Sequence, residues 1–163
     1  MKRIMWWKNR RPADFAWSEK LSVGNVILDS EHRNLIAKIN NIMHLIEAGD
    51  SATLSDAFDL LEIWLITHFG NEKMFAQALD IDFDQHELAH QRLLNEFQYL
   101  QDELLISRLK ESSSKSKSYY RLLHNWLIEH IVKEDMQMKP ALLSCQYGHV
   151  PSGKNSMVAN IDQ

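Results

Sequence analysis

Hydrophobic residues recur every three to four positions in four long stretches of the chain, which is the spacing of one buried helix face. The stretches cover residues 30–48, 53–79, 84–110 and 118–139. Gly49 follows the first stretch and is a predicted C-cap, and Pro140 is expected to stop the last helix. Four helices of similar length with short connections predict an all-α protein, an antiparallel up-and-down four-helix bundle.

The two ends of the chain have a different composition from the four stretches. Residues 1–28 are irregular and rich in tryptophan and charge, which predicts an arm lying across the bundle. The segment from Gly148 onward has the composition of a linker. We therefore expect an N-terminal tail at 1–14, a folded domain at 15–143, and a C-terminal tail or linker at 144–163.

Bulk composition narrows the class of protein. A chain of 163 residues fits one domain, and its net charge of −4 does not indicate a basic surface for binding nucleic acid. The single cysteine rules out an internal disulfide and fits a reducing compartment. No apolar run reaches the ~18 residues of a membrane span, and the N-terminal apolar segment is too short for a signal peptide. We expect a cytoplasmic protein.

Eight histidines are unusual in so short a chain, and five of them fall on or beside the apolar stripes together with two carboxylates. This set comprises His32 on the first helix, His68 and Glu72 on the second, His86 and His90 on the third, and His130 and Asp135 on the fourth. One histidine on an apolar face is ordinarily a core residue with a single hydrogen-bond partner. Seven such groups without partners would cost roughly 1–3 kcal/mol each, more than a net stability of about 5–15 kcal/mol can absorb. The set as a whole therefore predicts a metal site.

The number of candidate ligands predicts two metal ions. Structural zinc takes about four ligands, so seven overfill one ion, whereas two ions that share two carboxylates accommodate seven. Mixed imidazole and carboxylate ligation suits iron, among other metals. Ferritin-type di-iron sites need a Glu-x-x-His motif on each of two helices, and this chain has one match, Glu87 to His90.

The stretch "HELAH" at 86–90 also matches the zinc-peptidase pattern H-E-x-x-H, in which Glu87 would be the general base. A zinc peptidase needs a third ligand downstream, and Glu103 and Glu111 are the nearby candidates. That alternative leaves most of the histidine and carboxylate set without a role.

Four segments resemble the hemerythrin family, specifically its bacterial single-domain branch, over residues 15–138. They are "FAWSEKLSVGNVILDSEH", "HFGNEKMF", "HELAH" and "NWLIEHIVKED". The resemblance implies that His32 and His68 bind one iron ion, that His86, His90 and His130 bind a second, and that Glu72 and Asp135 bridge the two. It also implies an oxo or hydroxo bridge and an open position on the first iron, where O2 binds reversibly.

The resemblance further implies an apolar O2 pocket, which would exclude water and slow oxidation of the irons. Its residues would be Leu35, Phe69, Trp126, Leu127 and Ile131. One position departs from helical geometry, because Asp135 is five residues after His130, about 140° around a regular helix. Glu134 would point inward better, whereas the family motif favours Asp135, which implies a local π-type distortion.

The expected function is non-enzymatic O2 binding, for carriage, storage or sensing. The linker-like end after Gly148 slightly favours sensing, with a fused or associated signalling domain as partner. A di-iron peroxidase or oxidase would share the metal site and is the alternative.

Overall fold

The structure is a computed structural model that describes residues 15–107 and 113–146. The described residues form five helices: α1 (Val26–Ala48), α2 (Ser51–Ala78), α3 (Asp84–Ser107), α4 (Ser113–Lys133) and α5 (Lys139–Gln146). Short 3-10 turns cover Glu19–Leu21 and Asp135–Gln137, and the described residues contain no strand. α1 packs against α2 and α4, and α2 packs against α3. The all-α prediction is confirmed. None of the described helices is both long and apolar enough to cross a membrane.

Side-chain caps set the limits of the first two helices. The Asn25 side chain accepts hydrogen bonds from the backbone N–H groups of Ile27 and Leu28, so α1 begins earlier than the apolar pattern predicts. Gly49 ends α1 with φ of 72°, as predicted for a C-cap. Asp50 then accepts from the backbone N–H of Thr53 and starts α2. The chain therefore reverses within two residues, which makes α1 and α2 antiparallel neighbours.

The prediction that the fourth helix runs as far as Pro140 is wrong. α4 ends at Lys133, and Pro140 lies in the first turn of α5, where a missing backbone N–H costs no helical hydrogen bond. α5 continues to Gln146, past the expected domain end at 143. The domain limits stay predictions, because the expected tail at 1–14 and residues 147–163 lie outside the described residues.

The described part of the N-terminal arm, from Phe15 onward, is held against α1 by hydrogen bonds. Phe15 and Asn40 exchange two of them, at 2.8 and 3.1 Å, between the arm backbone and the Asn40 amide. Asp29 is 7% exposed and accepts from the Ser22 hydroxyl at 2.6 Å and from the Val23 backbone N–H at 2.8 Å. These contacts hold residues 15–23 along α1, from Asp29 near its start to Asn40 in its second half.

Two hydrophobic clusters fill the bundle. The smaller one, the end cluster, consists of Val23, Leu28, Ala76, Phe83, Met138 and Leu142. The larger one, the main cluster, extends through the rest of the bundle and includes Leu35, Leu65, Phe97 and Leu127. Along the chain, the candidate ligands lie between residues of the end cluster and residues of the main cluster, as His32 does between Leu28 and Leu35 on α1. The candidate ligands therefore form a polar layer enclosed by apolar residues.

Candidate metal centre

All seven candidate ligands lie in this buried layer, and none is more than 7% exposed. α1 contributes one histidine; α2 and α3 each contribute two side chains spaced i, i+4, which places both on one face. α4 contributes His130, and the 3-10 turn after it contributes Asp135. Every helix of the bundle therefore supplies at least one side chain to the same layer.

The ligand atoms of the described residues fall into two groups, and within each group they lie within 4.8 Å of one another. The first group is His32, His68, Glu72 and Asp135, and the second is His86, His90, His130, Glu72 and Asp135. Glu72 and Asp135 belong to both groups. The arrangement is that of two neighbouring sites that share two carboxylates.

Asp135 reaches both groups with different oxygens. Its Oδ2 lies 3.1 Å from His32 Nε2 in the first group. Its Oδ1 lies 2.9 Å from His130 Nε2 and 3.1 Å from His86 Nε2 in the second. A carboxylate placed in this way can donate one oxygen to each of two ions.

Glu72 divides its oxygens in the same manner. Its Oε1 lies 3.4 Å from His68 Nε2, whereas its Oε2 lies 3.0 Å from His90 Nε2 and 3.7 Å from His86 Nε2. In addition, the Nε2 atoms of His90 and His130 lie 3.0 Å apart. Three histidines of the second group thus direct the same ring nitrogen at a common point.

The hydrogen-bonding state of these atoms fits a metal centre. Eight buried nitrogen and oxygen atoms of the seven residues have no hydrogen-bond partner among the described residues. The partnerless atoms include both oxygens of Glu72 and of Asp135 and the Nε2 atoms of His32, His68 and His86. Buried polar atoms without partners are rare in folded proteins. A cluster of eight such atoms therefore needs an explanation. Imidazole nitrogens and carboxylate oxygens are suitable ligands for iron, and this donor set fits two such ions.

Burial dominates the electrostatics of the site. It lowers the pKa of His90 to about 2, helped by the neighbouring His130, and it lowers the pKa of His68 as well. Burial and the nearby Asp135 raise the pKa of Glu72 well above its usual value. Burial alone would also raise the pKa of Asp135, but its histidine neighbours, His130 first, outweigh that effect and hold it well below its usual value. Burial therefore favours the neutral form of His68 and His90, which is the form that binds metal.

Asp135 enters the site because α4 ends, and the predicted π-type distortion is wrong. Glu134 follows Lys133 with φ −107° and ψ −60°, and the 3-10 turn Asp135–Gln137 comes next. This change of backbone path turns Asp135 inward, where it is 1% exposed. Glu134 is half-buried and its side chain accepts a hydrogen bond from Gln137 at 3.4 Å, outside both ligand groups.

The five residues expected to line an O2 pocket are all buried and all belong to the main cluster. Of these five residues, Phe69 has ring contacts with candidate ligands. Its ring stacks on His90 with centroids 3.7 Å apart, and its edge approaches His130 at 5.7 Å. The pocket role of Leu35, Phe69, Trp126, Leu127 and Ile131 stays a prediction, and ordinary packing accounts equally for their burial.

Two contacts outside the seven ligands were not predicted from the sequence. Glu31 Oε2 lies 2.9 Å from His68 Nδ1, and Trp17 of the arm lies over the His32 ring at 6.3 Å between centroids. Glu31 directly precedes His32 in the sequence, so it was visible as a carboxylate beside a candidate ligand. Its partner is on another helix, which no local pattern reveals.

The geometry does not support the interpretation of "HELAH" as a zinc-peptidase motif. Glu87 forms an ion pair with Lys73 and belongs to neither ligand group of the described residues. Glu103, one proposed third ligand, is exposed and contacts Tyr99, and Glu111 lies outside the described residues.

Comparison with known proteins agrees with the architecture. The sequence profile of the "Hemerythrin HHE cation binding domain" matches residues 23–142. The chain belongs to the hemerythrin family. The matched region contains all seven candidate ligands and both hydrophobic clusters except for Leu21.

Two named relatives of this chain come from different organisms. A hemerythrin-like protein of Naegleria gruberi is 27% identical over 134 residues, covering 80% of this chain and 96% of the relative. A bacteriohemerythrin of Pseudomonas aeruginosa is 21% identical over 123 residues, covering 76% and 78%. A crystal structure of a single-residue mutant superposes with a TM-score of 0.68 at 21% identity, covering 79% of this chain and 97% of that one. The last likeness shows the fold alone.

Proposed function

We propose that this hemerythrin binds O2 reversibly at two iron ions, without catalytic turnover, and that it carries, stores or senses O2. Family membership and the histidine and carboxylate cluster support a di-iron site for O2. The observation that carries the proposal is the sharing of Glu72 and Asp135 between two buried ligand groups of unequal size.

In this proposal His32 and His68 hold one iron, His86, His90 and His130 hold the other, and the two shared carboxylates belong to both. The first group offers four side chains and the second offers five. An ion in the first group would therefore have fewer protein ligands and could accept a ligand from outside the protein. When bound, the iron pair supplies the electrons and the coordination position for reversible O2 binding.

The chain's own residues supply the surroundings that this chemistry needs. Leu127 and Ile131 lie beside the ligand layer on α4 and are 2% and 0% exposed. Apolar side chains at such positions exclude water and anions. This exclusion favours release of O2 as such over irreversible oxidation of the iron ions. Neutral histidines, which burial favours, accept iron without first losing a proton.

The test is reconstitution with ferrous iron in the absence of air. We expect two irons per chain and a visible absorption band that appears with O2 and disappears when O2 is removed. One zinc per chain with no O2-dependent band would refute the proposal. Steady turnover of peroxide with a reductant would instead favour a di-iron peroxidase or oxidase. A band without turnover supports O2 binding, and comparison of the O2 affinity with the protein's abundance in cells would distinguish storage from sensing.

A further inference from the structure

Glu31 connects the first ligand group to a carboxylate that is not itself a candidate ligand. Its Oε2 lies 2.9 Å from His68 Nδ1, within hydrogen-bond distance, and its Oε1 accepts a hydrogen bond from the Asn71 amide at 2.5 Å. The Glu31 side chain is 13% exposed, so both contacts are largely shielded from water. The three residues form a chain across the interface of α1 and α2.

The two nitrogens of His68 therefore have different surroundings. Nδ1 faces the Glu31 carboxylate, whereas Nε2 points toward Glu72 and has no hydrogen-bond partner among the described residues. A carboxylate accepts a hydrogen bond only from a protonated nitrogen. The neutral ring must then carry its proton on Nδ1 and present the lone pair of Nε2 to the ligand layer.

His32, the other histidine of the same group, lacks this support. Its Nδ1 is buried without a hydrogen-bond partner in the described part of the chain. Within the first group, only His68 is oriented by a carboxylate behind it. The group with fewer side-chain ligands thus has one ligand whose orientation and proton position are fixed by a neighbour.

We propose that Glu31 is a positioning residue that sets the tautomer of His68 and so retains the iron of the first group, and that Asn71 fixes Glu31 in turn. This inference rests on the proposed function for the identity of the metal. A carboxylate behind a ligand histidine also increases the basicity of the ring, and loss of such a partner typically weakens metal binding by about 10–100-fold.

Three variants separate positioning from ordinary packing. Glu31→Leu removes the acceptor, and Glu31→Gln keeps the shape and a neutral acceptor. Glu87→Gln is the matched control, because Glu87 also adjoins a candidate ligand but pairs with Lys73 at the surface. Thermal unfolding of each metal-free variant establishes that it folds, and Glu31→Gln serves if Glu31→Leu does not.

The first measurement uses the metal-free protein labelled with ¹⁵N in its histidine rings. We expect ring nitrogen shifts that place the His68 proton on Nδ1 in the wild type and in Glu87→Gln. Glu31→Leu should give a mixture of the two tautomers. A wild-type His68 with its proton on Nε2 would overturn the inference, whether or not the protein binds iron.

The second measurement uses the iron-loaded protein and a strong chelator at constant pH. We expect Glu31→Leu to lose one of its two irons roughly 10–100-fold faster than the wild type, Glu31→Gln to be intermediate, and Glu87→Gln to be unchanged. Equal rates in all four proteins would overturn the inference. If the wild type binds two irons but shows no O2-dependent band, only the proposed O2 function fails. If it takes up no iron, the tautomer measurement still tests whether Glu31 sets the proton position of His68.

Discussion

Replacing Glu72 with methionine should change the stability of this protein in opposite directions with and without iron. Glu72 is 0% exposed, and neither of its carboxylate oxygens has a hydrogen-bond partner among the described residues. In the metal-free protein desolvation opposes the burial of this carboxyl group, and no hydrogen bond with the described residues offsets that cost. In the loaded protein it would be a ligand shared by two ions.

The expected size of the effect follows from the cost of burying such a group. A buried polar group without partners costs about 1–3 kcal/mol, and methionine has a similar length and no polar atoms that need partners. Glu72→Met should therefore stabilise the metal-free protein by roughly 1–3 kcal/mol. For a domain of this size that corresponds to a rise in Tm on the order of 2–10 °C. In the presence of iron the variant should instead be less stable than the wild type, because it loses the stabilisation that ligand binding confers.

The measurement is thermal or urea unfolding of both proteins, with a chelator and with excess ferrous iron under anaerobic conditions. Glu87→Met is the control, because its surface ion pair with Lys73 should change stability by less than about 1 kcal/mol in either condition. A metal-free Glu72→Met variant that is less stable than the metal-free wild type would refute the reasoning. It would mean that Glu72 contributes to the fold by itself.

Further predictions concern pH, the shared aspartate and the pocket. The pKa of His90 is lowered to about 2 in the folded, metal-free protein, so below pH 6.5 the unfolded chain binds the additional proton. The contribution of His90 to the free energy of unfolding is therefore lost progressively as the pH falls from 6.5 toward 2. In urea unfolding at a series of pH values, His90→Gln should reduce the slope of the unfolding free energy against pH by up to about 1.4 kcal/mol per pH unit. Asp135→Asn should reduce bound iron below two per chain, whereas Glu134→Gln should leave it unchanged; metal analysis distinguishes them, and the reverse result would assign the ligand role to Glu134. Leu127→Gln should accelerate autoxidation of the O2-bound form, followed by decay of its visible band, and an unchanged rate would contradict the pocket assignment.

The helices were predictable because their evidence is local. Each apolar stripe lies on one segment, and the i, i+4 pairs His68 with Glu72 and His86 with His90 need only regular helix geometry to share a face. The helix limits were less predictable. Asn25 caps α1 through its side chain, and Pro140 lies inside a new helix rather than after an old one.

Asp135 shows where local reasoning fails within the site. A regular helix would place it about 140° from His130, and the expected π-type distortion kept it on the same helix. The fold instead ends α4 and starts a 3-10 turn, after which Met138 and Leu142 pack into the end cluster. The packing of the following segment, rather than the spacing to His130, brings the carboxylate inward.

By itself the sequence determined that the chain forms amphipathic helices, and it predicted a histidine and carboxylate set too large for one metal ion. Only the tertiary structure decided which atoms meet. His90 and His130 are 40 residues apart in the chain, and Glu31 and His68 are 37 apart, yet each pair lies within 3.0 Å. Periodicity fixes a side chain's direction on its own helix, whereas the approach of two helices depends on how every side chain between them packs.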